Sequence, residues 1–123
     1  MVTEANRLTT YKGWPITAGN CTKEKMSSCG FYQCNDDSGD DCVRCFCCFK
    51  ELDGWQESDD PWDEHKRNNN CYFANLGKPE ATLTVREWLI VMEERQVNYV
   101  NKVYQHINDL EQKDLKDLGL DKE

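Results

Sequence analysis

Hydrophobic and polar positions divide the chain into two unlike stretches. Up to about residue 80 the apolar residues come in short runs, broken by Gly, Asn, Asp and Ser. From residue 84 to 118 there is no Gly or Pro. There Leu89, Met92, Tyr99, Val103, Ile107 and Leu110 recur at steps of three, four and seven, which sets them on one helix face. Gln96 interrupts that stripe. Thr84 and Glu87 have capping-box spacing for the helix start. Gly119 can end it in the left-handed conformation, with Leu120 packing back.

The first stretch reads as short elements. Arg7 to Lys12 predicts a short helix or strand before Trp14-Pro15. Thr22 is a suitable N-cap for a helix at 23–27, and Gly30 fits the reversal after it. Phe31–Cys34 and Cys42–Cys45 read as strands around the polar loop 35–41, and Lys50–Leu52 as a third. Phe46–Phe49 turns the chain between the last two. Asp60 caps a further helix with Pro61 at its first position, and His65 projects from it. The boundary between the two stretches falls near Gly77-Lys78-Pro79.

A helix of about 35 residues runs ~50 Å at ~1.5 Å per residue. A domain of about 80 residues is only ~30 Å across. The distal half of the helix must overhang, and its apolar stripe then needs helices from a partner or a second copy.

Eight cysteines in 123 residues carry the candidate chemistry. Cys45 and Cys48 form a C-x-x-C pair, although Cys42 and Cys45 read the same way. His65 and Cys71 follow. Three thiolates and an imidazole suit Zn²⁺, which prefers four N/S ligands in a tetrahedron. Four protein ligands leave no place for a reactive water, so this zinc should hold the fold and do no chemistry. Four disulfides are the alternative. The N-terminal residues have no apolar signal-peptide core, and no run of about 18 apolar residues occurs. A reducing compartment is therefore expected, and metal is favoured over disulfides. Cys21, Cys29, Cys34, Cys42 and Cys47 are left as buried or surface thiols.

The formal net charge is −8 and is concentrated. Between Asp36 and Glu64 stand eleven acids against Arg44 and Lys50. That face disfavours non-specific binding to DNA, and favours a basic or amine-bearing partner, or simply solvates the surface. His106, the other histidine, lies on the long helix with no nucleophile paired to it in sequence, so no catalytic residues are assigned.

The motifs also occur in combination. Arg7-Leu8-Thr9-Thr10-Tyr11-Lys12-Gly13-Trp14-Pro15 comes first, then Met26-Ser27-Ser28-Cys29-Gly30-Phe31-Tyr32. Val43-Arg44-Cys45-Phe46-Cys47-Cys48-Phe49, Lys50-Glu51-Leu52-Asp53-Gly54-Trp55, Asp59-Asp60-Pro61-Trp62-Asp63-Glu64-His65 and Cys71-Tyr72-Phe73 follow. Together they resemble a BIR domain, the baculovirus inhibitor-of-apoptosis repeat. The resemblance implies an α+β fold: a zinc-binding BIR domain over 6–76 with a three-stranded antiparallel sheet and short helices, a linker at 77–83, and a long helix at 84–118. It implies one structural zinc on Cys45, Cys48, His65 and Cys71. The family usually sets six residues between that His and the last Cys, and here there are five.

Family members with one BIR and one long helix bind free N-termini beginning with Ala. By position, Asp53 and Asp59 would hold the α-ammonium group, Leu52 and Trp55 would border the methyl pocket, and Glu64 would face the next, basic residue. Lys50 matches a contact to phosphothreonine of a histone tail, and Asn68 stands near a second phosphate contact. The long helix resembles one that bundles with borealin and the inner centromere protein, an assembly that recruits Aurora B kinase to centromeres. Leu89, Met92, Tyr99, Val103, Ile107 and Leu110 would be its partner face. The implied role is a non-enzymatic chromosomal passenger subunit in mitosis, at centromere and spindle midzone as well as in nucleus and cytoplasm. The alternative is an apoptosis inhibitor acting on caspases or capturing Ala-starting antagonists. A homodimer through the segment ahead of Arg7 is a further expectation of the resemblance.

Overall fold

Arg7 organises the N-terminal part of the structure. In the computed structural model, which describes residues 1–34, 40–67 and 69–119, its side chain is fully buried. Helix α1 (Glu4–Leu8) carries it inward, with the Thr3 hydroxyl accepting from Asn6 N–H at the N-cap. The helix thus begins ahead of the predicted Arg7–Lys12 segment. The cap at Thr3 is what starts it there, and Arg7 lies in its last turn. A buried cation needs partners for its donors. Arg7 Nε donates to Ser27 O at 3.0 Å, Nη1 to Val2 O at 2.8 Å, and Nη2 to Glu80 Oε1 at 3.2 Å. Its guanidinium also sits 4.4 Å from the centre of the Phe46 ring.

Helix α2 (Lys23–Ser28) starts at Thr22, as its side chain predicts. Gly30 then reverses the chain at φ 93°. A Cβ there would lie 2.9 Å from Phe73 Cε2, so the position needs glycine for both conformation and space. Strands β1 (Phe31–Gln33), β2 (Val43–Cys45) and β3 (Glu51–Leu52) form one antiparallel sheet in the order β1-β2-β3. Phe31 opposes Cys45 and Gln33 opposes Val43. The alternating pattern turns Phe31 and Val43 into the core, where they meet Met26, Phe46, Phe73 and Trp55.

Helix α3 (Pro61–Lys66) is capped by Asp60, whose carboxylate accepts from Trp62 and Asp63 N–H. Helix α4 (Tyr72–Leu76), which the sequence pattern does not reveal, ends at Gly77 with φ 65°. It is one turn long, too short to show a 3.6-residue period. The 77–83 segment contains a 3₁₀ turn, Glu80–Thr82. Glu80 Oε1 accepts from Arg7 and from Glu4 N–H, so this stretch is tied to the domain.

Helix α5 (Val85–Asp117) has the predicted Thr84–Glu87 capping box, with both reciprocal hydrogen bonds present. Leu118 ends it and Gly119 takes φ 72°. The expected packing of Leu120 lies outside the described residues. Val91 is fully buried against the domain, a contribution of about 1.5–3 kcal/mol to seating the helix.

Candidate metal centre and peptide groove

Four ligand atoms converge where the turn after β2, helix α3 and the start of α4 meet. Cys45, Cys48, His65 and Cys71 bring three sulfurs and one ring nitrogen within 4.8 Å of one another. His65 and Cys71 are buried, as is Cys45. Two ligand pairs test the fit. Tetrahedral zinc with Zn–S of about 2.3 Å and Zn–N of about 2.05 Å requires S···S edges of about 3.8 Å and S···N edges of about 3.6 Å. Cys45 Sγ and Cys71 Sγ are 3.9 Å apart, and Cys48 Sγ and His65 Nε2 are 3.6 Å apart.

The surroundings orient these ligands. His65 Nδ1 donates to the Cys29 carbonyl at 3.0 Å, which fixes the tautomer and leaves Nε2 free to ligate. Cys47 and Cys48 N–H donate to Cys45 Sγ at 3.2 and 3.4 Å, and Asn69 Nδ2 donates to Cys48 Sγ at 3.2 Å. Burial opposes a charged imidazole, but the Cys48 and Cys71 sulfurs outweigh it and raise His65 to about 9. Hydrogen bonds from Cys45, Cys47 and Cys48 hold Cys71 as the thiolate, while burial pushes Cys45 up. The cluster favours positive charge at its centre, and a divalent cation lets buried thiols ionise together. These residues can hold a metal, and their donor set fits zinc.

The turn that carries Cys45 and Cys48 ends at Phe49, which has φ 64° without being glycine. That conformation costs on the order of 1–2 kcal/mol. Helix α5 offsets it: Arg95 lies 5.9 Å from the Phe49 ring centre and Tyr99 6.1 Å. Cys47, outside the four-ligand set, sets its thiol beside Cys71 and 3.8 Å from Val91 O.

Beside this centre, Leu52, Asp53, Trp55, Asp59 and Glu64 line one cavity of about 260 Å³, together with Gly54 and Arg67. Five of the residues read from the sequence are thus brought together. Arg67 was not among them; it pairs with Glu64 at 3.1 Å across one helical turn, and that i, i+3 spacing was the available signal. Trp55 N–H donates to Asp41 Oδ2 at 2.9 Å, while its indole Nε1 is buried without an acceptor among the described residues. Lys50 Nζ sits on the Arg67 and Glu64 carbonyls, at 2.6 and 3.3 Å, at the end of α3. Asn68 lies outside the described residues.

The predicted helix face is largely exposed. Leu89, Tyr99, Ile107 and Leu110 are each at least half accessible and Val103 is 39% accessible, whereas Met92 packs partly on the domain core. Val97, Val100 and Tyr104 are also exposed and widen the apolar surface. Their heptad spacing was the signal that the narrower stripe missed.

Residues 7–75 match the family model described as the Inhibitor of Apoptosis domain, BIR. Among curated proteins, the chain is 41% identical over 112 residues to Baculoviral IAP repeat-containing protein 5.2 of Xenopus tropicalis, covering 89% of this chain and 72% of that protein. It is 39% identical over 99 residues to Baculoviral IAP repeat-containing protein 5 of Cavia porcellus, covering 79% and 70%. Among solved structures, DIAP1 BIR1 bound to a Grim peptide superimposes with a TM-score of 0.46 at 32% identity, over 54% of this chain and 63% of that one.

Proposed function

The chain belongs to the inhibitor-of-apoptosis BIR family, and from that premise we propose that it is a survivin-like, non-enzymatic subunit that captures Ala-starting N-terminal tails and scaffolds partner helices. The observation that carries this reading is the acidic groove. Asp53, Asp59 and Glu64 line the same cavity as Leu52 and Trp55. Carboxylates around a small apolar pocket suit an α-ammonium group beside an Ala methyl.

One structural zinc on Cys45, Cys48, His65 and Cys71 supports the groove from behind: β3 runs from the knuckle to Leu52, and α3 carries both His65 and Glu64. The zinc would supply only cross-linking of these elements, since four protein ligands complete its shell. We assign residues 6–76 to the zinc-binding domain, 77–83 to the connection and 84–118 to the partner helix.

A phosphothreonine at the third tail position would meet Lys50, which must then leave the Glu64 and Arg67 carbonyls. The exposed face from Leu89 to Leu110 suits helices of the borealin and inner centromere protein type, through which Aurora B kinase would be recruited. The proposed sites of action are centromere and midzone in mitosis. Calorimetry with the free Ala-Arg-Thr-Lys histone tail, with and without phosphate on Thr, tests the reading. Tail binding that tightens tenfold with phosphate, about 1.4 kcal/mol, supports it. No binding of either form would overturn tail capture, and equal binding would shift weight to capture of Ala-starting apoptosis antagonists.

A further inference from the structure

We infer that Cys34 and Cys42 form a reversible thiol–disulfide site that joins the ends of β1 and β2, distinct from the zinc ligands. The register places them opposite each other. Gln33 pairs with Val43, so the next pair outward is Cys34 with Cys42, and Cys34 N–H donates to Cys42 O at 3.2 Å. Directly opposed residues of an antiparallel pair have Cα atoms about 4.5–5.5 Å apart. That range lies within the roughly 4.4–6.8 Å a disulfide spans. The two sulfurs are already 3.1 Å apart, and both residues are half-buried, so a small reagent can reach them.

A second metal site is the competing reading, because Glu51 also lies within reach of both sulfurs. Two observations disfavour it. Thiolates sharing a tetrahedral zinc stand about 3.8 Å apart, as Cys45 and Cys71 do but Cys34 and Cys42 do not. In addition, Glu51 Oε2 is occupied by Arg44 Nη2 at 2.7 Å and Nε at 3.1 Å, which puts a fixed positive charge beside the site.

The oxidant is a small disulfide such as glutathione disulfide. Burial, reinforced by the hydrogen bond to Cys34, pushes the Cys42 thiol up to about 12, which disfavours Cys42 as the first attacking thiolate. The Cys34 thiolate attacks one sulfur of the small disulfide. A Cys34–glutathione S–S bond forms, the original S–S bond breaks, and one glutathione thiolate leaves. Cys42 then loses its proton to solvent and attacks Cys34 Sγ, expelling the second glutathione. Two protein thiols are oxidised and one small disulfide is reduced to two thiols. Excess glutathione reverses both steps.

The test uses the full zinc-loaded chain in glutathione buffers of increasing oxidised share. Samples are quenched with an alkylating agent, digested and analysed by mass spectrometry, and zinc content is read in parallel. The expected result is a Cys34–Cys42 linked peptide that grows with the oxidised share, disappears on reduction, and leaves zinc content unchanged. In Cys42→Ser, Cys34 should instead accumulate as the glutathione adduct. The inference is overturned if both cysteines are alkylated in the most oxidising buffer. It is also overturned if the links formed involve Cys45, Cys48 or Cys71, or if protection of the pair requires added zinc and vanishes with chelator. Failure of tail binding would leave all these readouts unaffected.

Discussion

Asn98, on the long helix, donates through Nδ2 to the backbone carbonyl of Cys47 at 3.0 Å, inside the turn that carries Cys45 and Cys48. The metal knuckle and the helix are therefore parts of one packed unit up to that point. Val91, Arg95 and Tyr99 make the neighbouring contacts. Replacing Asn98 by Leu should cost about 1 kcal/mol and speed amide hydrogen exchange over residues 91–99. Unchanged exchange there would show that Val91, Arg95 and Tyr99 seat the helix without the Asn98 hydrogen bond.

Zinc removal should unfold the domain. Structural zinc in small domains contributes on the order of 10 kcal/mol, more than such a small core can spare. Cys48→Ala, or a strong chelator, should abolish the near-UV CD signal of the buried tryptophans. Asn69→Ala should only weaken zinc retention, about tenfold, because Asn69 orients Cys48 without replacing it.

Gly30 should tolerate no side chain. Its φ of 93° and the 2.9 Å approach of a built Cβ to Phe73 act together. Gly30→Ala should lower stability by about 2–4 kcal/mol, read as the midpoint of urea unfolding. Gly119→Ala, at φ 72° with nothing within 4 Å of the added Cβ, should cost only about 1 kcal/mol.

The exposed helix face should separate stability from assembly. Leu89 is 61% accessible and Val103 is 39% accessible. Leu89→Glu with Val103→Glu should each change stability by no more than about 0.5 kcal/mol. The double variant should nevertheless lose capture of both partner helices in pull-downs. Retained capture would place the interface elsewhere.

Acid should loosen the start of α5. The Thr84 backbone N–H, and then Lys78, hold Glu87 below its ordinary value of 4.5. A depressed folded value means that the stabilisation is present above the unfolded value and is lost as pH falls below about 4.5 through the folded one. Helix fraying at residues 84–88, followed by NMR amide shifts, should appear in that window and be absent from its pH dependence in Glu87→Gln.

Local signals made much of the fold legible. Thr22, Asp60 and Thr84 each carry a side chain that caps a helix one residue on, and each does so here. Pro61 and Gly30 need particular backbone angles, which left little freedom in where elements begin and end. Helix α4 and the turn at Glu80 were not legible, because one turn has no period and their place depends on Phe73 and Arg7 packing from far along the chain. In the groove, charge density pointed only to an acidic face; the particular acids Asp53, Asp59 and Glu64 came from the family resemblance. Arg67 stands three residues after Glu64, a spacing that allows their ion pair, but that it lines the same cavity as Asp53 and Trp55 was decided by the fold.

By itself the sequence determined the candidate metal donors, the short strands, the helices capped by Thr22 and Asp60, and the length and caps of α5. Those properties follow from residue chemistry and from spacing along a few consecutive positions. Only the tertiary structure decided which helix residues face the domain. Val91 is buried while Leu89, two residues away, stays exposed, because docking rotates the helix about its axis and periodicity alone does not set that angle. The register of β1 on β2 likewise turned Cys34 and Cys42, eight residues apart in the chain, into neighbouring sulfurs.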